Sequence, residues 1–432
     1  MKHKYVGYCC SLCGRHFDPC DILYTCPDDG GNLDVLLDYS KISAAVSPQD
    51  ILGAAKESLW RYLPLLPVDH PAGWGTPLHY VGNTPVYSPG RIADKYKLKN
   101  FWVKDESTNP TASFKDRASA ILVVRAQEIG AQVVVTASTG NAGAALAGMA
   151  AAAGQKAVIF APKSAPPAKV AQLLVYNANV ILVDGTYDDA FDLTLDAAAE
   201  FGWYCRNTGY NPFTAEGKKT AAFEIWDWFS QPYNQTRLNT RNGTPILFSE
   251  LSIFVSVGDG NIISGIHKGF RDLKELGWIE ELPKIYGVQA EGSAAISNAY
   301  RAGHEDITPV LANTLADSIA VDFPRDGVRA VRAVRETGGD YIVVSDSEIL
   351  TALAELGQDG IFAEPAGAAA FAGFLRALQE RKITPSAPFI VINTGSGLKD
   401  IHAAMEAVKQ APVIEPSIAV LKRHMFNQRT RL

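Results

Sequence analysis

The chain has 432 residues, 47% of them hydrophobic and 20% charged, with a formal net charge of −6 and a pI near 5.8. That length sets a prior of two or three domains with sizeable cores, and an acidic balance without a basic stripe excludes nucleic acid as an expected partner. The opening Met1-Lys2-His3-Lys4-Tyr5 has no apolar h-region, and the alanine-rich run over 142–153 is too short and too weakly apolar to span a bilayer, so the expectation is a cytoplasmic protein with no membrane partner.

Residues 1–45 differ from the rest. Cys9, Cys10, Cys13, Cys20 and Cys26 crowd there among glycines and prolines. Cys10-Ser11-Leu12-Cys13-Gly14 is a knuckle pattern in which two thiolates reach one metal while glycine allows the tight turn. The expected second pair reads Cys26-Pro27-Asp28-Asp29, with aspartate in place of the fourth thiolate. Cys10, Cys13, Cys26 and Asp29 are therefore the candidate zinc ligands, with Cys9, His16 and Cys20 as substitutes. A ribbon that kept its shape and lost its metal fits the same residues.

A helix is expected over 48–62, followed by turns at Pro64, Pro67, Pro71, Gly73, Gly75 and Gly82-Asn83-Thr84-Pro85. A short strand over 101–104 leads into Asn109-Pro110-Thr111-Ala112-Ser113-Phe114-Lys115-Asp116-Arg117. Ser113 reads as an N-cap and Asp116 as the far side of a capping box. Lys115 then stands at a helix start, where the dipole favours anions. Either it is a solvated lysine, or its neutral amine is kept available for a Schiff base.

After Gly130 continuous apolar strands alternate with helices. Strands are expected at 133–135, 157–160, 180–183 and 203–205, and helices at 142–153, 168–176 and 187–201. A helix at 215–229 and a polar surface insertion at 231–242 follow. Then come strands at 254–257, 284–289, 342–344 and 389–392, and helices at 262–276, 346–356 and 365–380. This pattern reads as two doubly wound parallel sheets covered on both faces. The tail after Ala411, with Arg423, His424, Arg429 and Arg431, reads as solvated surface.

Ligands of such sheets bind beyond the carboxyl ends of the strands. Three of those ends carry unusual residues: Ser138-Thr139-Gly140-Asn141, Gly258-Asp259-Gly260-Asn261-Ile262, and Thr394-Gly395-Ser396-Gly397. Each alone is also an ordinary turn. The second is neither a Walker loop nor a dinucleotide fingerprint, because its glycine spacing fails both. A nucleotide-binding or NAD-dependent protein is set aside on that ground. Together with Lys115 the three turns describe a pyridoxal phosphate site: aldehyde on Lys115, phosphate on the second turn, ring oxygen and ring nitrogen on Asn141 and Thr394.

The same stretches, with Gly217-Lys218-Lys219-Thr220-Ala221-Ala222-Phe223-Glu224 and Val288-Gln289-Ala290-Glu291-Gly292, resemble the threonine synthase family of fold type II pyridoxal-phosphate enzymes, the tryptophan synthase β-subunit-like fold. The resemblance implies α/β architecture with a small zinc-ribbon-like segment at 1–45, a large cofactor domain at 46–116 and 208–432, and a small α/β domain at 117–207. It implies Lys115 as Schiff-base lysine and proton shuttle, Asn141 on the ring hydroxyl, residues 258–262 on the phosphate and Thr394 on the ring nitrogen. Ser138, Thr139, Gly140 and Asn207 would take the substrate. The activity implied is that of an amino-acid biosynthesis lyase, in a homodimer, turning O-phosphohomoserine and water into threonine and phosphate. Ala142 and Thr214 stand where the family has the hydroxyl residue and the arginine that bind the substrate phosphate, leaving Lys218, Arg206 and Lys268 as substitute cations. Ala112 replaces a usual glycine. β-Elimination or β-replacement on phosphoserine, serine or threonine, as in cysteate synthase or the dehydratases, is the alternative. A non-catalytic paralogue is the third reading.

Overall fold

The computed structural model describes residues 4–21, 24–52, 58–72, 75–237 and 246–429. Positions 53–57 of the expected helix, Gly73, positions 238–242 of the polar insertion, and Arg431 lie outside the described residues.

The chain opens with β1 (Tyr5–Cys10), β2 (His16–Phe17) and β3 (Leu33–Leu37), an antiparallel sheet with β1 in the middle. Leu33, Val35 and Leu37 point inward at period two, and with Tyr5, Tyr8 and Cys10 they join a core that includes Trp60, Ile121 and Phe213. After β4 (Val86–Tyr87) and β5 (Asn100–Asp105) the chain builds β6 (Val133–Ala137), β7 (Lys156–Pro162), β8 (Asn179–Val183) and β9 (Tyr204–Cys205). These four form an all-parallel sheet in the order β8-β7-β6-β9. The chain then returns for β10 (Ser252–Ser256), β11 (Lys284–Ala290), β12 (Tyr341–Val344) and β13 (Pro388–Asn393). The six-stranded sheet runs β12-β11-β10-β13-β5-β4. Its edge strand β4 is antiparallel to β5, so this sheet is mixed rather than parallel throughout.

Apolar runs buried on both faces follow from that layering. In β10, Ile253 and Val255 enter one core and Phe254 the opposite one; in β13, Ile390 and Ile392 share the first, and Phe389 and Val391 the second. Alternate side chains thus feed two helical layers from one strand.

Several expectations change. The described part of the helix from Pro48 runs to Leu52, and Leu59–Leu65 is a 3₁₀ segment rather than a continuation of the α-helix. The helix expected over 215–229 is two, Phe213–Lys218 and Thr220–Ser230. Pro232–Arg237 is helical inside the supposed insertion. The tail is largely exposed, as expected, but forms a helix over Ile418–Arg429. Helices Ala295–Arg301 and Gly327–Glu336 were not anticipated.

A buried ionic cluster joins the elements around the lysine stretch. Arg117, from the helix Lys115–Glu128, donates to both oxygens of Glu106 (2.6 and 2.8 Å) and both oxygens of Glu224 (2.6 and 2.7 Å). Lys104 adds a 2.7 Å bond to Glu224. Arg117 and Glu106 have no exposure at all. Nearby, Gly217 lets the helix Phe213–Lys218 press on the helix of Arg117: a Cβ there would lie 2.0 Å from the Arg117 carbonyl oxygen. Arg117→Met would leave two buried carboxylates facing Lys104 alone. It should lower stability by about 3–5 kcal/mol, read from the denaturant midpoint. A loss under 1 kcal/mol would show that the cluster does not hold these elements.

Candidate active site

The helix begins at Lys115, and Ser113 is not its N-cap. Phe114 is the residue before it, in right-handed helical geometry, with no side-chain cap. Ser113 is held in an antiparallel bridge with Gly395, flanked by Phe114 N–H donating to Thr394 O (2.9 Å) and Ser396 N–H donating to Ala112 O (3.1 Å). That bridge prevents Ser113 from capping, and its hydroxyl is buried without a protein partner. Asp116 accepts from the backbone N–H of Thr111 (2.6 Å) and from its hydroxyl rather than completing a capping box. Burial pushes its carboxyl up to about 6. The bridge sets Lys115 beside Thr394, joining two stretches that are 279 positions apart.

Lys115, Ser138, Thr139, Gly140, Asn141, Gly258, Asp259, Gly260, Asn261, Ile262 and Thr394 all line one cavity of ≈ 600 Å³. That volume suits a cofactor together with a small substrate. Burial lowers the Lys115 ammonium pKa, with Glu364 opposing and Arg206 reinforcing the shift. The neutral amine is thereby favoured, as the helix-start position suggested. The turn at 258–262 ends in the helix Asn261–Glu275, so backbone N–H groups and the dipole meet a phosphate there. Gly260 has φ +90°, and a Cβ on it would lie 2.5 Å from the Asp326 carbonyl oxygen, so only glycine closes this turn. These features fit pyridoxal phosphate: a deprotonatable amine, a backbone cradle sized for one phosphate, and an amide and a hydroxyl for the ring.

Asn207 is not among the residues that line the cavity. Its Oδ1 accepts from Thr136 Oγ1 and Ala137 N (both 2.9 Å), so it braces the end of β6 behind the loop 138–141. Of the four candidate metal ligands, Cys10 ends β1, and Cys13, Cys26 and Asp29 lie on the loops that join the amino-terminal strands. One donor atom from each of Cys10, Cys13, Cys26 and Asp29 falls within 4.8 Å of the others, whereas Cys9, His16 and Cys20 are not part of this group.

Two cavity residues carry more than the sequence revealed. Glu364 takes both oxygens to Asn141 Nδ2 (2.9 and 2.8 Å), and burial raises its pKa. An acid placed at the start of a proline-led helix after a buried turn was the available signal. Lys218 is fully buried and lines the cavity, donating to Asn261 Oδ1. Among the described residues no carboxylate lies within ion-pair distance of it, and burial drives its pKa well down, with Lys115 and Arg206 adding to the fall. Arg206 is equally buried; its Nη2 has no partner, and burial lowers its pKa to about 10. Lys268 is excluded as a substitute cation, because it is paired with Glu216 (3.2 Å) and Asp272 (3.3 Å).

Residues 78–395 match the family described as pyridoxal-phosphate dependent enzyme. The chain is 38% identical to a threonine synthase of Methanocaldococcus jannaschii over 96% of this chain and 98% of that protein. It is 35% identical to a threonine synthase of Methanosarcina acetivorans, over 97% and 98%. In fold it is similar to the processed form of threonine deaminase isoform 2 from Solanum lycopersicum, with a TM-score of 0.63 and 22% identity, over 79% of this chain and 92% of that one.

Ala112, one of the few non-glycine residues in the left-handed region, has φ +65°. A Cβ there costs roughly 1–2 kcal/mol, partly offset by the greater freedom glycine has when unfolded. Ala112→Gly should therefore stabilise the protein by roughly 0.5–1 kcal/mol in a denaturant titration. A destabilised variant would show that the alanine methyl is a needed contact.

Proposed function

This chain belongs to the pyridoxal-phosphate dependent enzyme family, and within it to the threonine synthase family, and from that membership we propose that its cavity converts O-phosphohomoserine and water to threonine and phosphate. The observation that carries this reading is the convergence of Lys115, the 258–262 turn, Asn141 and Thr394 on one cavity. Bound pyridoxal phosphate supplies an electron sink for removing protons next to the amino-bearing carbon. Lys115 Nζ would be the amine that holds the cofactor through its aldehyde, and its neutral form would take the Cα proton. Residues 258–262 would hold the cofactor phosphate, Asn141 would meet the ring oxygen and Thr394 the ring nitrogen. A hydroxyl at the nitrogen would leave it unprotonated and moderate the sink. Ser138, Thr139 and Gly140 take the substrate carboxylate at the start of the helix Asn141–Ala152, which no side chain caps.

The substrate phosphate needs cations, and the family's arginine is replaced by Thr214. Lys218 lies one helical turn on, at i+4, and both side chains bond the same atom, Asn261 Oδ1. The replacement charge is thus on the same helix face as the lost one. A buried ammonium without a carboxylate partner is costly until an anion arrives. This supports a phosphorylated substrate over serine or threonine.

The division into a large unit (46–116 and 208–432) and a small one (117–207) belongs to the same proposal, supported by the separate four-stranded sheet. So do a zinc-ribbon-like segment at 1–45, supported by the Cys10, Cys13, Cys26 and Asp29 group, a homodimer on the family's habit, and a cytoplasmic setting on the free state of its six cysteines. No described helix is long and apolar enough to cross a membrane.

The test is phosphate release and threonine formation by the cofactor-loaded protein given O-phosphohomoserine. Threonine with stoichiometric phosphate is expected, and Lys115→Ala should abolish both the turnover and the visible cofactor band. No turnover with the band present would overturn the reading and move the substrate to phosphoserine or serine. Lys218→Gln should raise KM for the phosphorylated substrate about tenfold or more while kcat changes less, and Lys218→Arg should restore part of the loss.

A further inference from the structure

The amino-terminal segment that carries the cysteine group is linked to the cofactor turn through a relay of side chains. Cys13 Sγ and Cys26 Sγ are 3.9 Å apart, and Cys10 Sγ is 3.3 Å from Asp29 Oδ1. Two thiolates on one tetrahedral zinc, each with a Zn–S bond of about 2.3 Å, stand about 3.8 Å apart. Three thiolates and a carboxylate are a donor set that zinc accepts, so the residues fit the metal. The loops that carry these ligands also reach the catalytic body. Ser11, between Cys10 and Cys13, accepts at its carbonyl from Arg332 Nη1. Asn32, three residues after Asp29, donates to the carbonyls of Gly209 and Arg325. Asp34, opposite Cys9 in the β1–β3 ladder, pairs with Arg329 at 2.6 Å.

Arg329 then holds Asp326 through two bonds (2.6 and 2.8 Å). Asp326 accepts from Asn261 Nδ2 (2.7 Å), and its backbone N–H donates to Asp259 O (2.9 Å). Asp259 and Asn261 belong to the turn assigned to the cofactor phosphate. A part-buried ion pair, a buried ion pair and one amide therefore span the distance from the cysteine sheet to the phosphate cradle. The strands of the sheet are anchored in the shared core, but Cys13 and Asp29 stand on exposed loops, which a metal would order.

We propose that zinc bound by Cys10, Cys13, Cys26 and Asp29 tightens the cofactor-phosphate turn through Asp34, Arg329 and Asp326, so that metal and cofactor bind cooperatively. The proposal rests on the reading of 258–262 as the cofactor cradle. Ordered knuckle loops fix Asp34 against Arg329, and Arg329 holds Asp326 where Asn261 and Asp259 need it. A protein stripped of zinc keeps its main cores but leaves the turn less often in its binding geometry. By linkage the effect is reciprocal: cofactor raises zinc affinity by the factor that zinc raises cofactor affinity.

The experiment titrates pyridoxal phosphate into the full chain, zinc-loaded or stripped by a chelator, following the visible absorption of the bound cofactor. Zinc should bind one per chain. The zinc-loaded protein should bind pyridoxal phosphate about tenfold more tightly, within the 5–150-fold range usual for coupled sites. Pyridoxal without its phosphate should bind both forms equally, because the coupling runs through the phosphate turn. Asp34→Asn should keep its zinc affinity, measured by metal titration, and lose most of the tenfold ratio. Equal cofactor affinity in the two forms overturns the proposal, as does the absence of stoichiometric zinc. A ratio that persists for pyridoxal overturns the route through the turn. A protein that forms no cofactor band in either form overturns the functional reading itself, and is thereby told apart from equal binding.

Discussion

Arg117 carries the constraint on which the active-site geometry depends. It stands two residues after Lys115, has no exposure, and is gripped by Glu106 from the segment after β5 and Glu224 from the helix Thr220–Ser230. Glu224 also accepts from the backbone N–H groups of Asn83 and Thr84, so the turn ahead of β4 is tied to the same point. A fully buried guanidinium is costly unless its donors meet acceptors, and those of Arg117 meet Glu106, Glu224, Thr84 and Thr220, which few backbone arrangements allow. The cluster therefore adds geometric uniqueness more than net stability. The lysine loop then has little freedom: Arg117 fixes it on one side and the Thr394–Ser396 bridge on the other.

That fixation explains why the loop tolerates poor local choices. Ala112 sits in a left-handed conformation, Ser113 leaves its hydroxyl unpartnered, and Lys115 opposes the helix dipole. Each breaks a rule of local preference, and all three fall within four residues. Such a concentration is expected where the surroundings over-determine the backbone and the site needs the strain. The dipole and the burial act in the same direction on Lys115, both favouring the amine.

Most of the architecture was legible because the strands are continuous apolar runs and the glycine turns punctuate them. The strand at 133–135 and the helix at 187–201 needed only periodicity. What was illegible depended on contacts distant in sequence. Ser113 has the right chemistry for a cap, but a bridge to Gly395 overrides it. Asn207 has the right chemistry for a substrate, but Thr136 and Ala137 already occupy its carbonyl oxygen. Gly327–Glu336 carries arginine at every third position among small apolar residues, and its arginines are taken up by Asp326 just ahead of it and by Asp34 and Glu305 from elsewhere. The aspartate in place of a fourth cysteine could be read as a lost ligand or a kept one. Its position among three sulfur atoms supports the second.

The neighbouring lysines 218 and 219 show how burial separates structural charge from functional charge. Both are without exposure and they are adjacent in sequence. Lys219 lies 2.5 Å from Glu216 and 2.7 Å from Asp272, so its charge is neutralised inside the protein. Lys218 faces Asn261 and the cavity with only a neutral oxygen as partner. A cluster of positive groups, Lys115, Arg206 and Lys218, thus shares a cavity wall or its immediate backing with the acids Asp259 and Glu364, whose pKa values burial raises. Without a ligand, every one of these groups is pushed toward its neutral form. A dianionic phosphate reverses that for the cations, and the protonation of the site then follows the arrival of its ligands. Thr214 and Lys218, one turn apart on the same helix face, both donate to Asn261 Oδ1, so the unpaired charge is held at the edge of the turn 258–262.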